Sequence, residues 1–193
     1  MMFEITCKRH IKLRTALARL AEPSRRWVSL DFFTDAEITL LKDLAGAQTF
    51  RKAQSKIVHR KNRVFQDFDV CFPAPRTGAF DDLAAGLEAG LFTAGAALAR
   101  NPFETRFQFD DFAIQRYPAG SRGIGIHRDG KRYKHIVVII TLAGQSRLFS
   151  TDRREGKPRL RIDDRPGRMV LLSADGFAGR YEEDSRPLHG VDC

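Results

Sequence analysis

Two histidines and one aspartate are the residues of this chain whose types and spacing indicate chemistry most directly. His127 and Asp129 are separated by one residue at the end of a strand-like run, so both side chains should leave the same face of a strand. His189 lies in another strand-like run, far along the chain. Two neutral imidazoles and one carboxylate leave three positions of an octahedron open, which is typical of non-haem Fe(II) sites that also bind a co-substrate and O₂. We therefore expect His127, Asp129 and His189 to be metal ligands and catalytic residues.

The surroundings of these residues strengthen the prediction. By itself a His-x-Asp sequence is weak evidence in a chain with five histidines, and a lone His189 is more often a surface or core-edge residue. Here the His-x-Asp sequence follows a strand ending in Tyr117 and a Pro-Gly turn at 118–120, and an apolar strand comes after it. The late histidine is followed by Gly190 in a strand-like run.

With these motifs, residues 113–193 resemble the catalytic core of the 2-oxoglutarate- and Fe(II)-dependent dioxygenases. They are most similar to the AlkB-type alkylation-repair branch, which combines an Asn-x-Tyr strand, a Pro-Gly turn, His-x-Asp, a long apolar strand and a distal His. In this chain the first strand is Gln115-Arg116-Tyr117, with Gln in place of the usual Asn. The resemblance implies a double-stranded β-helix, or jelly roll, that requires Fe(II), 2-oxoglutarate and O₂. The activity it implies is oxidative demethylation of alkylated nucleic acid, in which a hydroxylated N-methyl group is released as formaldehyde.

Three residues are expected to bind 2-oxoglutarate. Gln115 and Tyr117 share one face of their strand, and the resemblance implies that this face lines the cavity; the alternative is a half-buried strand Tyr with its hydroxyl at the rim. The AlkB-type branch holds the far carboxylate of 2-oxoglutarate with an arginine well after the distal His, beyond position 193 here. Either the chain continues past this segment or another arginine serves. Our candidate is Arg147, with Arg186 and Arg168 as weaker candidates, and a solvent-facing Arg147 is the alternative.

The charge of the chain bears on its substrate. Its 33 Lys and Arg against 24 Asp and Glu give a net charge of +9 and a pI near 9.9, which favours polyanions such as nucleic acid; a basic surface that merely aids solubility is the alternative. Residues 50–78 interleave cations with aromatics where the AlkB-type branch has its nucleotide lid. We expect substrate contacts that combine phosphate binding and base stacking, at Arg60, Arg63, Phe65 and Phe68. The alternative is a loop whose Phe residues pack on the core.

Two other functions remain open at this stage. One is a 2-oxoglutarate-dependent hydroxylase that acts on a protein side chain or a small metabolite, with an incidental basic surface. The other is a non-catalytic, nucleic-acid-binding β-sandwich with a vestigial site. Succinate-forming turnover separates this last function from the two enzymes, and salt-sensitive binding to single-stranded nucleic acid separates the demethylase from the other hydroxylase.

The elements that must position the site change character near Pro102. Helical periodicity and capping signals predict helices within Met1–Trp27, Phe33–Gly46 and Asp81–Arg100. Beyond Pro102 short strands follow one another, at Phe103–Phe109, Phe112–Tyr117, Gly123–His127, His135–Leu142, Arg147–Ser150, Pro158–Ile162, Met169–Ser173 and Pro187–Val191. The prediction is an α+β, mainly β protein: a jelly roll with N-terminal helices packed on one sheet. Residues 1–102 would hold the helices and the lid, and 103–193 the catalytic core, within one structural domain.

The same composition indicates where the protein works. No apolar run approaches the roughly 20 residues of a membrane helix, and the N-terminus has no apolar signal region, so we expect neither a membrane nor secretion. Three widely spaced cysteines form neither a disulfide framework nor a zinc pattern and suit a reducing cytosol. We expect a cytoplasmic protein, and no obligate protein partner is evident.

Overall fold

The computed structural model describes residues 3–59 and 62–193, which form three α-helices, a 3₁₀ turn and twelve strands. The helices are α1 (Cys7–Leu20), α2 (Asp35–Gly46) and α3 (Ala79–Ala96). The first six strands are β1 (Trp27–Asp31), β2 (Arg51–Lys52), β3 (Lys56–His59), β4 (Asn62–Asp67), β5 (Asp69–Cys71) and β6 (Ile114–Arg116). The last six are β7 (Gly123–His127), β8 (Ile136–Ile140), β9 (Arg147–Thr151), β10 (Leu160–Arg161), β11 (Arg168–Ser173) and β12 (Leu188–Asp192).

Side-chain caps begin α1 and α2, whereas α3 begins after Gly78 without one. At the start of α2, the Thr34 side chain accepts from the Glu37 amide and the Glu37 carboxylate accepts from the Thr34 amide, which confirms the predicted capping box. The first helix ends at Leu20, just before Glu22-Pro23, where the proline predicts its end, and Trp27 begins a strand. The sequence did not predict the edge strand β1. Its partner in the sheet is β11, which lies far along the sequence, so local patterns do not reveal the pairing.

Antiparallel sheets form the body of the protein, in the strand orders β1-β11-β8, β10-β9-β12-β7-β4-β3 and β2-β5-β6. Leu148 of the six-stranded sheet packs with Val170 and Leu172 of the first sheet. The opposite face of the first sheet, with Met169 and Leu171, packs against the helices. The α+β class is confirmed. In the part of the chain that the structure describes, the sheets do not close into a barrel, and the jelly-roll topology stays a prediction.

The segment 50–78, predicted to be irregular, contains the strands β2 to β5. Strands β3 and β4 form a hairpin, and β4 pairs with β7 of the C-terminal half. The prediction was wrong because much of this pairing joins distant parts of the chain, which local periodicity does not report. Conversely, Phe103–Phe109 forms no strand: the rings of Phe103 and Phe107 lie 4.9 Å apart within an aromatic cluster. Strands β7 to β12 fall inside or largely overlap the predicted runs.

The contact between β7 and β12 matters most for the site. His127 on β7 lies opposite His189 on β12, and Ile124 lies opposite Val191, with an irregularity between the two pairs. Gly123 begins β7 with φ of +79°, and a Cβ atom there would lie 1.8 Å from the Val191 carbonyl oxygen. A side chain at position 123 is therefore incompatible with this approach of the two strands.

We predict that Gly123→Ala lowers the free energy of unfolding by about 1–3 kcal/mol more than Gly120→Ala does. Gly120 has nearly the same φ, +78°, but a Cβ atom there would have no neighbour within 4 Å. Both variants carry the cost of a positive φ, and only Gly123→Ala adds the clash with β12. Urea denaturation of both variants measures the difference, and equal losses would contradict the close packing of β7 on β12.

Candidate metal centre

Three predicted metal ligands come together at the end of the β7–β12 ladder. The imidazole rings of His127 and His189 have their centroids 4.3 Å apart. Asp129 lies two residues past the end of β7, and its carboxylate oxygens lie 3.7 Å from His127 Nε2 and 3.9 Å from His189 Nε2. One ligand atom from each residue lies within 4.8 Å of the other two. The prediction that the fold would assemble this group is confirmed.

Backbone carbonyls orient both imidazoles. His127 Nδ1 lies 2.8 Å from the Gly125 carbonyl oxygen, and His189 Nδ1 lies 3.3 Å from the Pro187 carbonyl oxygen. A carbonyl oxygen only accepts, so each Nδ1 carries the proton and each Nε2 keeps its lone pair. A metal-binding histidine usually makes such a hydrogen bond through the ring nitrogen that does not bind the metal. Both Nε2 atoms are thereby prepared to bind a cation beside Asp129.

Burial keeps the His127 imidazole neutral. Desolvation, with the neighbouring His189 as a second cause, lowers the pKa of His127 to about 4, against the opposing effects of Asp129 and of the hydrogen bond to Gly125. His189 is 4 % exposed. Metal binding requires the neutral form of histidine, so at neutral pH a proton does not compete for His127.

The donor set fits a non-haem Fe(II) ion. Two imidazole nitrogens and one carboxylate are the ligands of the facial triad, and they leave positions for other molecules. A structural zinc site would need four protein ligands; in residues 3–59 and 62–193, His127, Asp129 and His189 are the one group of three or more such donors. The residues that would hold the metal are therefore these three.

The structure places Gln115 on β6 with an exposed side chain, and Tyr117, which follows β6, is partly buried. Gln115 pairs with Val70, and the Tyr117 ring packs with a core cluster that includes Ile124 and reaches Val191, two residues past His189 on β12. The Tyr117 hydroxyl donates to Gln115 Oε1 at 2.8 Å. Burial raises the pKa of Tyr117, so the phenol is protonated at neutral pH, and Gln115 accepts its one proton in this structure. The role of both residues toward 2-oxoglutarate stays a prediction.

The structure does not bring Arg147 to the metal centre. Its side chain is exposed, and its backbone lies opposite Asp192. Ser150, three residues further along β9, lies opposite His189. An odd separation along a strand places side chains on opposite faces, so Arg147 projects from the outer face of the sheet. The solvent-facing alternative fits this position, and the anchor role does not.

The predicted substrate residues lie in different environments. Arg63 and Phe65 are exposed, and a Cβ atom at Gly125, two residues before His127, would lie 3.0 Å from the Phe65 ring. Phe68 is a core residue whose ring lies 5.2 Å from that of Tyr117, so no base can stack on it from the surface. Arg60 lies outside the described residues.

The sequence did not predict the contacts of three charged residues next to the candidate metal ligands. Arg128, Asp184 and Arg186 connect the segment that carries Asp129 with the loop before β12. The signal that would have drawn attention to them is the Asp-x-Arg spacing of 184 and 186, three residues before His189.

A surface cavity of about 330 Å³ lies elsewhere, at residues 48–51, 70–73 and 75. Its lining includes Phe50, Phe72 and Pro73 but none of the three metal ligands. The chemistry of the donor atoms, and not the size of this cavity, therefore identifies the candidate site.

Comparisons of this chain with protein-family models, curated proteins and solved structures found no match. Across residues 3–59 and 62–193, no helix combines the length and the apolar character needed to cross a bilayer. The assignment of a candidate metal site therefore depends on the positions of His127, Asp129 and His189 in this structure.

We predict that the protein binds one Mn(II), an inert substitute for Fe(II), and that His127→Ala or Asp129→Ala abolishes this binding. Removal of a direct ligand should weaken binding by more than the roughly 10–100-fold loss typical of outer-shell changes. Electron paramagnetic resonance of free Mn(II) gives the affinity. The control is His10→Ala on α1, which is not among the clustered donors. Wild-type affinity in either ligand variant would contradict the assignment.

Proposed function

We propose that this protein is an Fe(II)- and 2-oxoglutarate-dependent dioxygenase. The observation that carries the proposal is the convergence of His127, Asp129 and His189, with both Nδ1 atoms bonded to backbone carbonyls and both Nε2 atoms within 3.9 Å of the Asp129 carboxylate. Such a donor set supports oxidative chemistry in which two further molecules occupy the open metal positions. The resemblance of residues 113–193 to this superfamily supports the same reaction class.

Each residue of the candidate site has a separate role in the proposed reaction. His127, Asp129 and His189 would hold Fe(II), which supplies O₂ activation coupled to decarboxylation of 2-oxoglutarate and hydroxylation of a substrate C–H bond. The Gly125 and Pro187 carbonyls fix both imidazoles in the binding orientation. Tyr117 is the donor that we assign to a carboxylate of 2-oxoglutarate; its single proton, which Gln115 Oε1 accepts in this structure, would pass to the bound carboxylate instead.

For the substrate, we propose alkylated nucleic acid, demethylated by oxidation. The net charge of +9 supports this class, and so does the exposed Phe65, which has the Arg122 guanidinium 5.2 Å from its ring centroid beside Arg63. Cations near an exposed ring suit a single-stranded polyanion. The burial of Phe68, which removes one expected stacking ring from the surface, favours the second candidate function, hydroxylation of a protein side chain or small metabolite.

The activity test is conversion of 2-oxoglutarate to succinate by the protein loaded with Fe(II) in air. We expect turnover in the wild type and none in Asp129→Ala. Tyr117→Phe, which removes one hydrogen bond, should raise the KM for 2-oxoglutarate about threefold to tenfold. Arg147→Ala is the control, because its outward position predicts an unchanged KM. Absence of turnover in the metal-loaded wild type would refute the proposed function.

The substrate test is binding of a single-stranded oligonucleotide, followed by fluorescence anisotropy at several salt concentrations. We expect affinity to fall with salt, with a log–log slope of about −0.7 per phosphate contact, and Arg63→Glu to flatten the slope by about that amount. Arg165→Glu, the same charge change at another exposed arginine, should leave the slope unchanged. Absence of binding at low salt would favour the protein or metabolite hydroxylase, and binding without turnover would indicate a non-catalytic binding protein.

A further inference from the structure

The strand ladder by itself does not fix the third metal ligand. His127 and His189 form a register pair of β7 and β12, so main-chain pairing sets their separation. Asp129 lies beyond the end of β7, where this ladder no longer holds the chain. A further contact must therefore keep its carboxylate beside the two imidazoles.

Arg186, in the loop before β12, supplies that contact. Its Nη1 atom donates to the Asp129 carbonyl oxygen. Its Nε and Nη2 atoms donate to the two carboxylate oxygens of Asp184, at 2.8 Å and 2.7 Å. The Arg186 side chain is 12 % exposed, so water competes little for these hydrogen bonds. A planar guanidinium fixed at both edges is rigid.

Arg128 makes a reciprocal contact from the other segment. Located between His127 and Asp129, it donates from Nε to the Arg186 carbonyl oxygen at 3.0 Å, and the same nitrogen lies 3.5 Å from Asp184. Each ligand-bearing segment thus sends one guanidinium to a main-chain carbonyl of the other. Two crossed bonds of this kind restrain the segments in both position and rotation.

Asp184 is the anion that allows two guanidiniums to lie side by side. Burial acts to raise the pKa of Asp184, but hydrogen bonds from Arg186 and the nearby charges of Arg186 and Arg128 lower it overall. Its ionised carboxylate balances part of the positive charge next to the metal centre. Loss of this carboxylate would leave Arg128 and Arg186 to repel each other.

We propose that Arg186 is a positioning residue for the metal centre, which holds Asp129 against the His127–His189 pair, with Arg128 and Asp184 as its supports. This inference rests on the metal site of the proposed function, and it holds whatever the substrate is. Its consequence is that an arginine which touches neither metal nor substrate sets the affinity of the site.

The chain contains its own control for the local part of this arrangement. Asp163 and Arg165 have the same Asp-x-Arg spacing, with carboxylate contacts from Arg165 Nε at 2.9 Å and Nη2 at 3.0 Å. The Arg165 side chain is 73 % exposed, and neither residue belongs to the metal-binding group. Arg165→Ala therefore removes an equivalent local pair without touching the segment of Asp129.

The experiment is a titration with Co(II) alone, followed by its visible absorption, which reports both affinity and ligand geometry. Under anaerobic conditions we expect Arg186→Ala to lower Co(II) affinity about 10–100-fold and to alter the absorption bands. Arg186→Lys should restore part of the affinity, because its ammonium still reaches one acceptor. Arg165→Ala should match the wild type in both affinity and spectrum.

Circular dichroism and urea denaturation of the metal-free proteins show whether each variant folds. If Arg186→Ala does not fold, Asp184→Asn takes its place: it removes the charge that holds Arg186 while it keeps the side-chain shape, and it should also weaken Co(II) binding. A wild-type affinity and spectrum in a folded Arg186→Ala, or in Asp184→Asn where that variant replaces it, would overturn the positioning role alone. Failure of the wild type to bind Co(II) would overturn the metal site and this role with it.

Discussion

The antiparallel pairing of β7 with β12 is the interaction on which the candidate site depends. It places His127 opposite His189 and brings their rings to a centroid distance of 4.3 Å, although the two residues are distant in sequence. The pairing requires a residue without a Cβ atom at Gly123, where the Val191 carbonyl occupies the space of a side chain. Main-chain hydrogen bonds, and not the polar side chains themselves, thus set the spacing of two candidate metal ligands.

Polar contacts around this ladder complete the ligand set. The two Nδ1 atoms use carbonyls that lie two residues earlier in their own segments, so each imidazole is oriented locally. Asp129 has no such local support from the ladder, and its main chain is held by Arg186 from the opposite segment. Orientation of the histidines is therefore a property of each strand, whereas the position of the carboxylate is a property of the contact between segments.

Burial separates the side chains around the candidate ligands. The Tyr117 ring packs in a core cluster that reaches Val191 on β12, whereas Gln115, Arg147, Arg63 and Phe65 are exposed. A shift of one residue in a strand would exchange buried and exposed positions. An extended substrate would contact the exposed side chains at the surface, while His189 of the candidate site is buried.

The sequence by itself determined the capping box of α2, the strands β7 to β12, the α+β class and the choice of His127, Asp129 and His189 as candidate metal ligands. These features depend on neighbours in the chain, through side-chain periodicity, capping and the spacing of His127 and Asp129. Only the tertiary structure decided that β1 and β3–β4 join the sheets, that Phe68 is buried, that Arg147 faces outward, and that Arg128, Asp184 and Arg186 connect the ligand segments. The physical reason is that strand pairing, register and burial depend on residues far apart in sequence, and local patterns carry no record of those partners.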